Sequence, residues 1–143
     1  TTHAVDAVLA ALEFQRFMGR MRQSRAATGR PQWTLRLGIN SGPLIAGVVG
    51  QKKFVYDVWG DTVNLASRME SAGGEGQVNI SPSTRAKVGH LFEVTSRGEI
   101  PIKGKGMVEM FYVTGIKPEL SIDGQGVEPN GAFEARYRAL AKK

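Results

Sequence analysis

The sequence predicts one α/β (α+β) sheet domain. Three observations predict it: stretches of period-2 apolar alternation, helical stripes bounded by capping residues, and short glycine-containing connections that join several strands as hairpins. At 143 residues the chain is long enough for one domain with a real core and short for two. An apolar fraction of 41% beside 22% charged residues is ordinary for a globular chain and favours neither disorder nor a membrane class. The helices are expected to cover one face of the sheet.

The elements follow in order. From His3 to about Met21, Val5, Val8, Leu9 and Leu12 continue into Phe14, Phe17, Met18 and Met21, a broad helical stripe with Glu13, Arg16 and Arg20 on other faces. Its basic tail, Arg20, Arg22, Arg25 and Arg30, reads as a solvated surface, with phosphate binding the weaker alternative. Trp33, Leu35, Leu37 and Ile39 alternate with Thr34, Arg36 and Gly38, the clearest strand pattern in the chain. NSGP makes a turn, Leu44 to Val49 is a short apolar strand, and GQKK from Gly50 to Lys53 is a hairpin connection to a strand from Phe54 to Trp59. Gly60 breaks that strand. Asp61 is placed to cap a helix that ends at Gly73 and Gly74 as its C-cap.

Gln77 to Ile80 is a short strand, and Ser81-Pro82 opens a helix to about Val88 by the cap-then-proline pattern. Phe92 to Ile102 is strand-like with Gly98 interrupting it, IKGKG is a basic glycine-rich turn, and Met107 to Ile116 is a final apolar strand. After Pro118, ELSIDGQGVEPNG has the composition of a loop, and Phe133 to Lys143 forms a terminal helix. Residues 1–116 thus read as the domain and 117–143 as a C-terminal extension.

Composition removes several function classes. With no cysteine, neither a disulfide framework nor a thiolate zinc site is possible, which fits a reducing compartment. The two histidines, His3 and His90, lack helical metal spacing, and no phosphate-loop, dinucleotide or serine-hydrolase glycine motif occurs. The net charge of +6 suits an anionic partner, but the nineteen Lys and Arg are scattered in ones and twos without interleaved aromatics, which argues against nucleic acid. Polar residues interrupt every apolar run before membrane-spanning length, and the start lacks the features of a signal peptide. The chain opens on Thr1 directly before a helix, as expected of a piece of something longer.

Three groups of side chains carry chemistry. Alternation places Asp57 on the face of Val55 and Trp59, where an unpaired charge is costly, so it needs a partner: a structural ion pair or hydrogen bond, or a donor such as an exocyclic amine on a ligand. Asn64 and Arg68 lie four residues apart on one helical face, an amide to orient a hydroxyl or ether oxygen and a permanently charged planar donor for a phosphate. Each alone is most simply a solvated helical residue. Lys103 and Lys105 sit in a turn whose glycines let backbone amides approach an anion; a lysine-decorated hairpin is the plainer reading.

FVYDVWGDTVNLASRME, with LRLGINSGPLIAGVVG before it and RGEIPIKGKGMVEMFYV after it, closely resembles the class III nucleotide cyclase catalytic domain, the adenylate and guanylate cyclase family. The likeness runs from about Ala4 to Gly115. It implies a ferredoxin-like sheet, with active sites at the interface of a head-to-tail homodimer, and attack of the ribose 3′ oxygen on the α-phosphate of ATP with loss of pyrophosphate, assisted by two Mg or Mn ions. By resemblance Asp57 accepts from the adenine amino group, Asn64 orients the ribose, Arg68 stabilises the α-phosphate in the transition state and Lys103 grips the triphosphate; Lys105 joins it as a candidate substrate contact.

The metal-binding aspartates of the family, and the lysine that partners its adenine-selecting Asp, come from strands upstream of the first helix. Asp6, Asp61 and Asp123 do not stand in the contexts to replace them. The chain therefore reads as the C-terminal portion of the cyclase fold without its N-terminal strands. Alone, it is expected to be inactive and, with an unpaired sheet edge, to self-associate. The leading function is part of an adenylate cyclase (a lyase) in intracellular signal transduction, cytoplasmic whether or not the parent is membrane-attached. The alternatives are a guanylate cyclase, or a non-catalytic cyclase-like regulatory or dimerisation module.

Overall fold

The computed structural model describes residues 1–50 and 53–142. Among the described residues the elements are α1 (His3–Ala27), β1 (Leu37–Ile39), β2 (Ile45–Val49), β3 (Val55–Trp59), α2 (Asp61–Ser71), β4 (Val78–Ile80), α3 (Pro82–Val88), β5 (Phe92–Ile102), β6 (Gly106–Ile116) and α4 (Gly131–Ala141). One sheet has the order β1-β4-β6-β5, with β1 parallel to β4 and the other pairs antiparallel. The crossover from β1 to β4 contains a second, two-stranded antiparallel ribbon, β2-β3, followed by α2. The mixed α+β architecture agrees with the sequence pattern. Gln51 and Lys52 of the expected hairpin connection, and Lys143 of the terminal helix, lie outside the described residues.

The pleat of the sheet sorts its side chains to two faces. Val78, Ile80, Phe111, Val113 and Phe92 point to one side, where they pack against Val5, Val8 and Leu12 of α1, Val88 of α3 and Phe133 of α4. Asn79, Met110 and Ile102, from the same strands, point to the other side and meet Met69 of α2, with Leu65, Ile100 and Val108 around them. The expectation that the helices share one face is therefore wrong for α2. The continuous apolar stripe of α1 and the mixed surface of α2 both read as core-facing, and only the alternation within β4 and β6 assigns them to opposite sides.

Several boundaries also shift. The helix predicted to end near Met21 runs to Ala27, and the long strand predicted from Trp33 is regular only over Leu37–Ile39. At that edge β1 pairs with β4 alone, over three residues. Ahead of it, the Leu35 carbonyl is taken by the Gly76 amide and by the Gln15 side chain. Ser81 caps α3 as predicted, its oxygen accepting from the Thr84 amide. The final loop holds two short 3-10 turns, Pro118–Leu120 and Ile122–Gly124, with Leu120 buried. Asn130 then caps α4 by accepting from Ala132 and Phe133, and Tyr137 donates to Asp6 at 2.7 Å, tying the C-terminal helix to α1.

β1 and α2 approach each other closely. A Cβ built on Gly38 would overlap the Glu70 amide nitrogen and lie 2.5 Å from the Met69 carbonyl carbon. The helix backbone thus rests directly on the strand, which only glycine permits. Gly38→Ala is expected to destabilise the protein by about 3 kcal/mol, the upper end of the usual overpacking cost. Gly19→Ala, in α1 with nothing within 4 Å of the added methyl, should stabilise by about 0.5–1 kcal/mol. Urea unfolding of the two variants checks both, and equal effects at the two positions would contradict this packing.

Candidate active site

The site is built on the junction between β3 and α2. Trp59 ends the strand, and Gly60 turns the chain at φ +129°, a backbone shape that L side chains rarely adopt. The Gly60 carbonyl accepts from the amides of Val63 and Asn64, so Gly60 is the N-cap of α2. Asp61, predicted to be the cap, makes no capping hydrogen bond. It is the first helical residue and forms an ion pair with Lys105. A carboxylate in the first turn still suits the positive end of the helix dipole.

Asn64 and Arg68 project from one exposed face of α2, opposite to buried Met69. Among the described residues neither side chain has a hydrogen-bond or ion-pair partner. Asp57 lies on β3 in register with Gly47 of β2, and its carboxylate accepts from the amide of Val58 at 2.8 Å. The predicted face with Val55 and Trp59 is correct, but the whole strand is exposed. In this chain Asp57 therefore carries no burial cost, and the reasoning that it needs an internal partner fails. It is an open acceptor near the start of the same helix.

The β5-β6 hairpin brings the lysines to this junction. Lys103, Gly104 and Lys105 form its turn, closed by the Lys105 amide donating to the Ile102 carbonyl at 3.0 Å. Lys105 reaches Asp61, which places the turn beside the first turn of α2. Lys103 is exposed at the tip. The structure thus brings Asp57, Asn64, Arg68, Lys103 and Lys105 around α2, with Lys105 paired to Asp61 and, among the described residues, no side-chain partner on the other four. A groove of about 450 Å³ on the α1 face, lined in part by Leu12, Gln15, Gly76, Val113 and Gln125, touches none of them.

Sequence reasoning missed the residues that hold α2 in place. Asn40, just after β1, donates to the Thr62 carbonyl and accepts from the hydroxyls of Ser81 and Ser83, and the Thr62 hydroxyl donates to the Pro43 carbonyl. At the other end Asn79, fully buried, donates to the Met69 carbonyl at 2.8 Å, and Arg97 donates to the Ala72 carbonyl at 2.9 Å. The C-cap is Ala72 in a right-handed conformation and not the predicted Gly73 or Gly74. One signal was available: an asparagine between Val78 and Ile80 in a short apolar strand is disfavoured unless its amide is satisfied.

The two divalent ions implied by the sequence resemblance find no donor set here. Among the described residues no three His, Asp or Glu side chains come together in a way that could hold a metal ion. No helix among them is long and apolar enough to cross a membrane.

Comparison with known proteins fits this geometry. Residues 1–115 match the family model described as the adenylate and guanylate cyclase catalytic domain. An adenylate cyclase of Mycobacterium tuberculosis is 42% identical over 99 residues, covering 68% of this chain and 22% of that protein. Human guanylyl cyclase C is 43% identical over 122 residues, covering 82% of this chain and 11% of that protein. The crystal structure of the guanylate cyclase domain of RhGC from Catenaria anguillulae, in complex with GTP, superposes with a TM-score of 0.74 at 37% identity, covering 82% of this chain and 62% of the other. The chain therefore spans about a tenth to a fifth of these two full-length relatives, and less than two thirds of the solved domain. With the strand-turn-helix junction, the family model and these relatives in agreement, the chain belongs to the adenylate and guanylate cyclase catalytic domain family.

Proposed function

We propose that this chain supplies the base-selecting, ribose-orienting and transition-state half of an adenylate cyclase active site that converts ATP to cyclic AMP and pyrophosphate. The observation that carries the proposal is the pair Asn64 and Arg68, one turn apart on an exposed face of a helix whose other face holds buried Met69, with Asp57 just ahead of the helix and Lys103 in the turn whose Lys105 pairs with Asp61 at its start. In the reaction the ribose 3′ oxygen loses its proton and bonds to the α-phosphorus, and the bond from that phosphorus to the bridging oxygen of pyrophosphate breaks. Such phosphoryl transfer depends chiefly on positioning and on charge placed where it develops.

Each side chain has one task in this reading. The Asp57 carboxylate accepts from the 6-amino group of adenine; the 6-oxo group of guanine in that place would set two acceptors against each other. The Asn64 amide orients the ribose. Arg68 offers a planar charged donor to the α-phosphate oxygens as negative charge accumulates there. Lys103 holds the terminal phosphates, and Lys105 joins it on release from Asp61. Residues 1–116 form the cyclase portion, and 117–143 are an extension whose helix α4 packs on α1.

Divalent ions supply charge neutralisation in this chemistry when bound, and no residue described in this chain is assigned to hold them. A second copy of the chain is the proposed partner. The β2-β3 ribbon exposes apolar residues on both faces, Ile45 at 71% on one and Tyr56 at 70% on the other, with Phe54 at 74% just ahead of β3, as expected of a surface that a partner covers. The location proposed is cytoplasmic, where nucleoside triphosphates are held. A guanylate cyclase is the second reading, favoured by the guanylyl cyclase relative at 43% identity.

In the full-length cyclase, Arg68→Ala is expected to lower kcat by about 10²–10³ while KM changes little, the cost of removing one preorganised charge donor. Unchanged turnover would remove Arg68 from the mechanism. Asp57→Ala should lower kcat/KM for ATP by roughly 10–100-fold, the loss of one hydrogen bond to a buried base, and leave GTP unaffected. Cyclic nucleotide formation measured with each triphosphate checks this, and a wild-type preference for GTP would establish the guanylate reading instead.

A further inference from the structure

Helix α2 ends with carbonyls that have no intrahelical partner, as every helix does. Four carbonyls around this end have partners. The Ala72 amide takes the Arg68 carbonyl at 3.0 Å, and the Gly73 amide takes that of Glu70 at 2.9 Å. The Met69 carbonyl receives the side-chain amide of Asn79, and the Ala72 carbonyl receives the Arg97 guanidinium. Arg97 also donates to the Asn79 side-chain oxygen at 3.1 Å, so the two clamps are one unit. Its guanidinium lies 4.3 Å above the centre of the Tyr112 ring, and the Tyr112 hydroxyl accepts from the Gly74 amide at 3.0 Å. A cation beside the C-terminal end of a helix is favoured by the helix dipole as well.

Strand alternation puts Arg97 there: it lies two residues beyond Thr95, which pairs with Tyr112. Ser96 pairs with Phe111 and Glu99 with Glu109, so Arg97 and Gly98 together oppose the single residue Met110. This bulge shifts the alternation by one residue, so that Ile100 and Ile102 pack beneath the same helix as Arg97. The same strand then runs directly into Lys103. Arg97 therefore joins the last turn of α2, next to Arg68, to the strand that presents the lysine turn.

We propose that Arg97 is a positioning residue for Arg68. Held by Asn79 and Tyr112, it locks the final turn of α2 and so fixes the guanidinium of Arg68 relative to Lys103. This rests on the reading of Arg68 as the α-phosphate donor. Arg97 touches no substrate itself and acts only through the helix. A shift of about 1 Å in a group that must meet a transition state can cost as much as about 10²-fold in rate.

A double-mutant cycle in the full-length cyclase, assayed with ATP and with GTP, tests this. Arg97→Ala is expected to lower kcat by about 10–100-fold with KM within about threefold. In an Arg68→Ala background the same substitution should change kcat by less than about threefold, because the group it positions is gone. Equal losses in the two backgrounds would mean that Arg97 is merely structural and overturn the proposal, as would wild-type turnover in Arg97→Ala. If Arg97→Ala does not fold, Arg97→Lys, which keeps the charge but not the planar fork, carries the cycle. It should lose about 3–10-fold, with the same collapse in the Arg68→Ala background, and wild-type turnover in Arg97→Lys would then overturn the proposal. Failure of the underlying reading looks different: Arg68→Ala itself would leave kcat unchanged.

Discussion

The backbone contact between Gly38 of β1 and the Met69-Glu70 segment of α2 is the constraint on which the site depends. A helix normally stands off a sheet by the length of the side chains between them. Here the strand has no side chain at the contact, so the helix sits against the sheet backbone and its polar groups come within reach of strand side chains. Asn79 can then reach the Met69 carbonyl, which it does from a fully buried position. An amide so placed is costly unless satisfied, and its bonds to Met69 and Arg97 satisfy it. The close approach and the polar clamp require each other. The result is a helix whose outer face, with Asn64 and Arg68, is fixed by its inner one.

The fold was legible wherever the pattern was local. Alternation marked β3, strand-like and apolar runs marked β5 and β6, and Ser81-Pro82 marked the start of α3. The asparagine-glycine pair at 130–131 was read only as the end of a loop, although Asn130 caps α4. The candidate residues were legible for a similar reason: Asp57, Asn64 and Arg68 are separated by a strand end, a turn and one helical turn, so their relation is set within twelve residues of chain. What sequence could not supply was long-range. Nothing near Arg97 indicates that it meets Ala72, twenty-five positions away, and nothing near Lys105 indicates Asp61. The expected glycine C-cap failed because a side chain from another strand did the work that a left-handed glycine does elsewhere.

Asp57 shows a different limit. Alternation placed it correctly on the face of Val55 and Trp59, and the burial inferred from those neighbours does not exist in this chain. The ribbon it lies on is a two-stranded sheet, which is marginal alone in water. Its apolar residues, Ile45, Val48 and Tyr56 among them, are mostly exposed. A carboxylate on such a ribbon would be desolvated only when something covers it, and the covering surface would set its chemistry. That is why a base-reading role for Asp57 is coupled to the proposed assembly, whereas the geometry of Asn64 and Arg68 is set by the chain's own core.

The β5-β6 hairpin touches α2 at both ends, and magnitudes separate the two contacts. At the far end Arg97 is partly buried, makes hydrogen bonds to a carbonyl and an amide, and lies over an aromatic ring. Removing it would leave a helix-end carbonyl and a buried asparagine oxygen short of a donor, at about 1–3 kcal/mol for each. At the near end Lys105 and Asp61 have side chains 38% and 67% exposed, and an ion pair of that kind contributes at most about 1 kcal/mol. A triphosphate carries several negative charges against the single one of Asp61. The near contact can therefore be exchanged for a ligand without disturbing the fold, and the far one cannot. The hairpin is anchored beneath α2 at Arg97 and free to respond at its lysine-bearing tip.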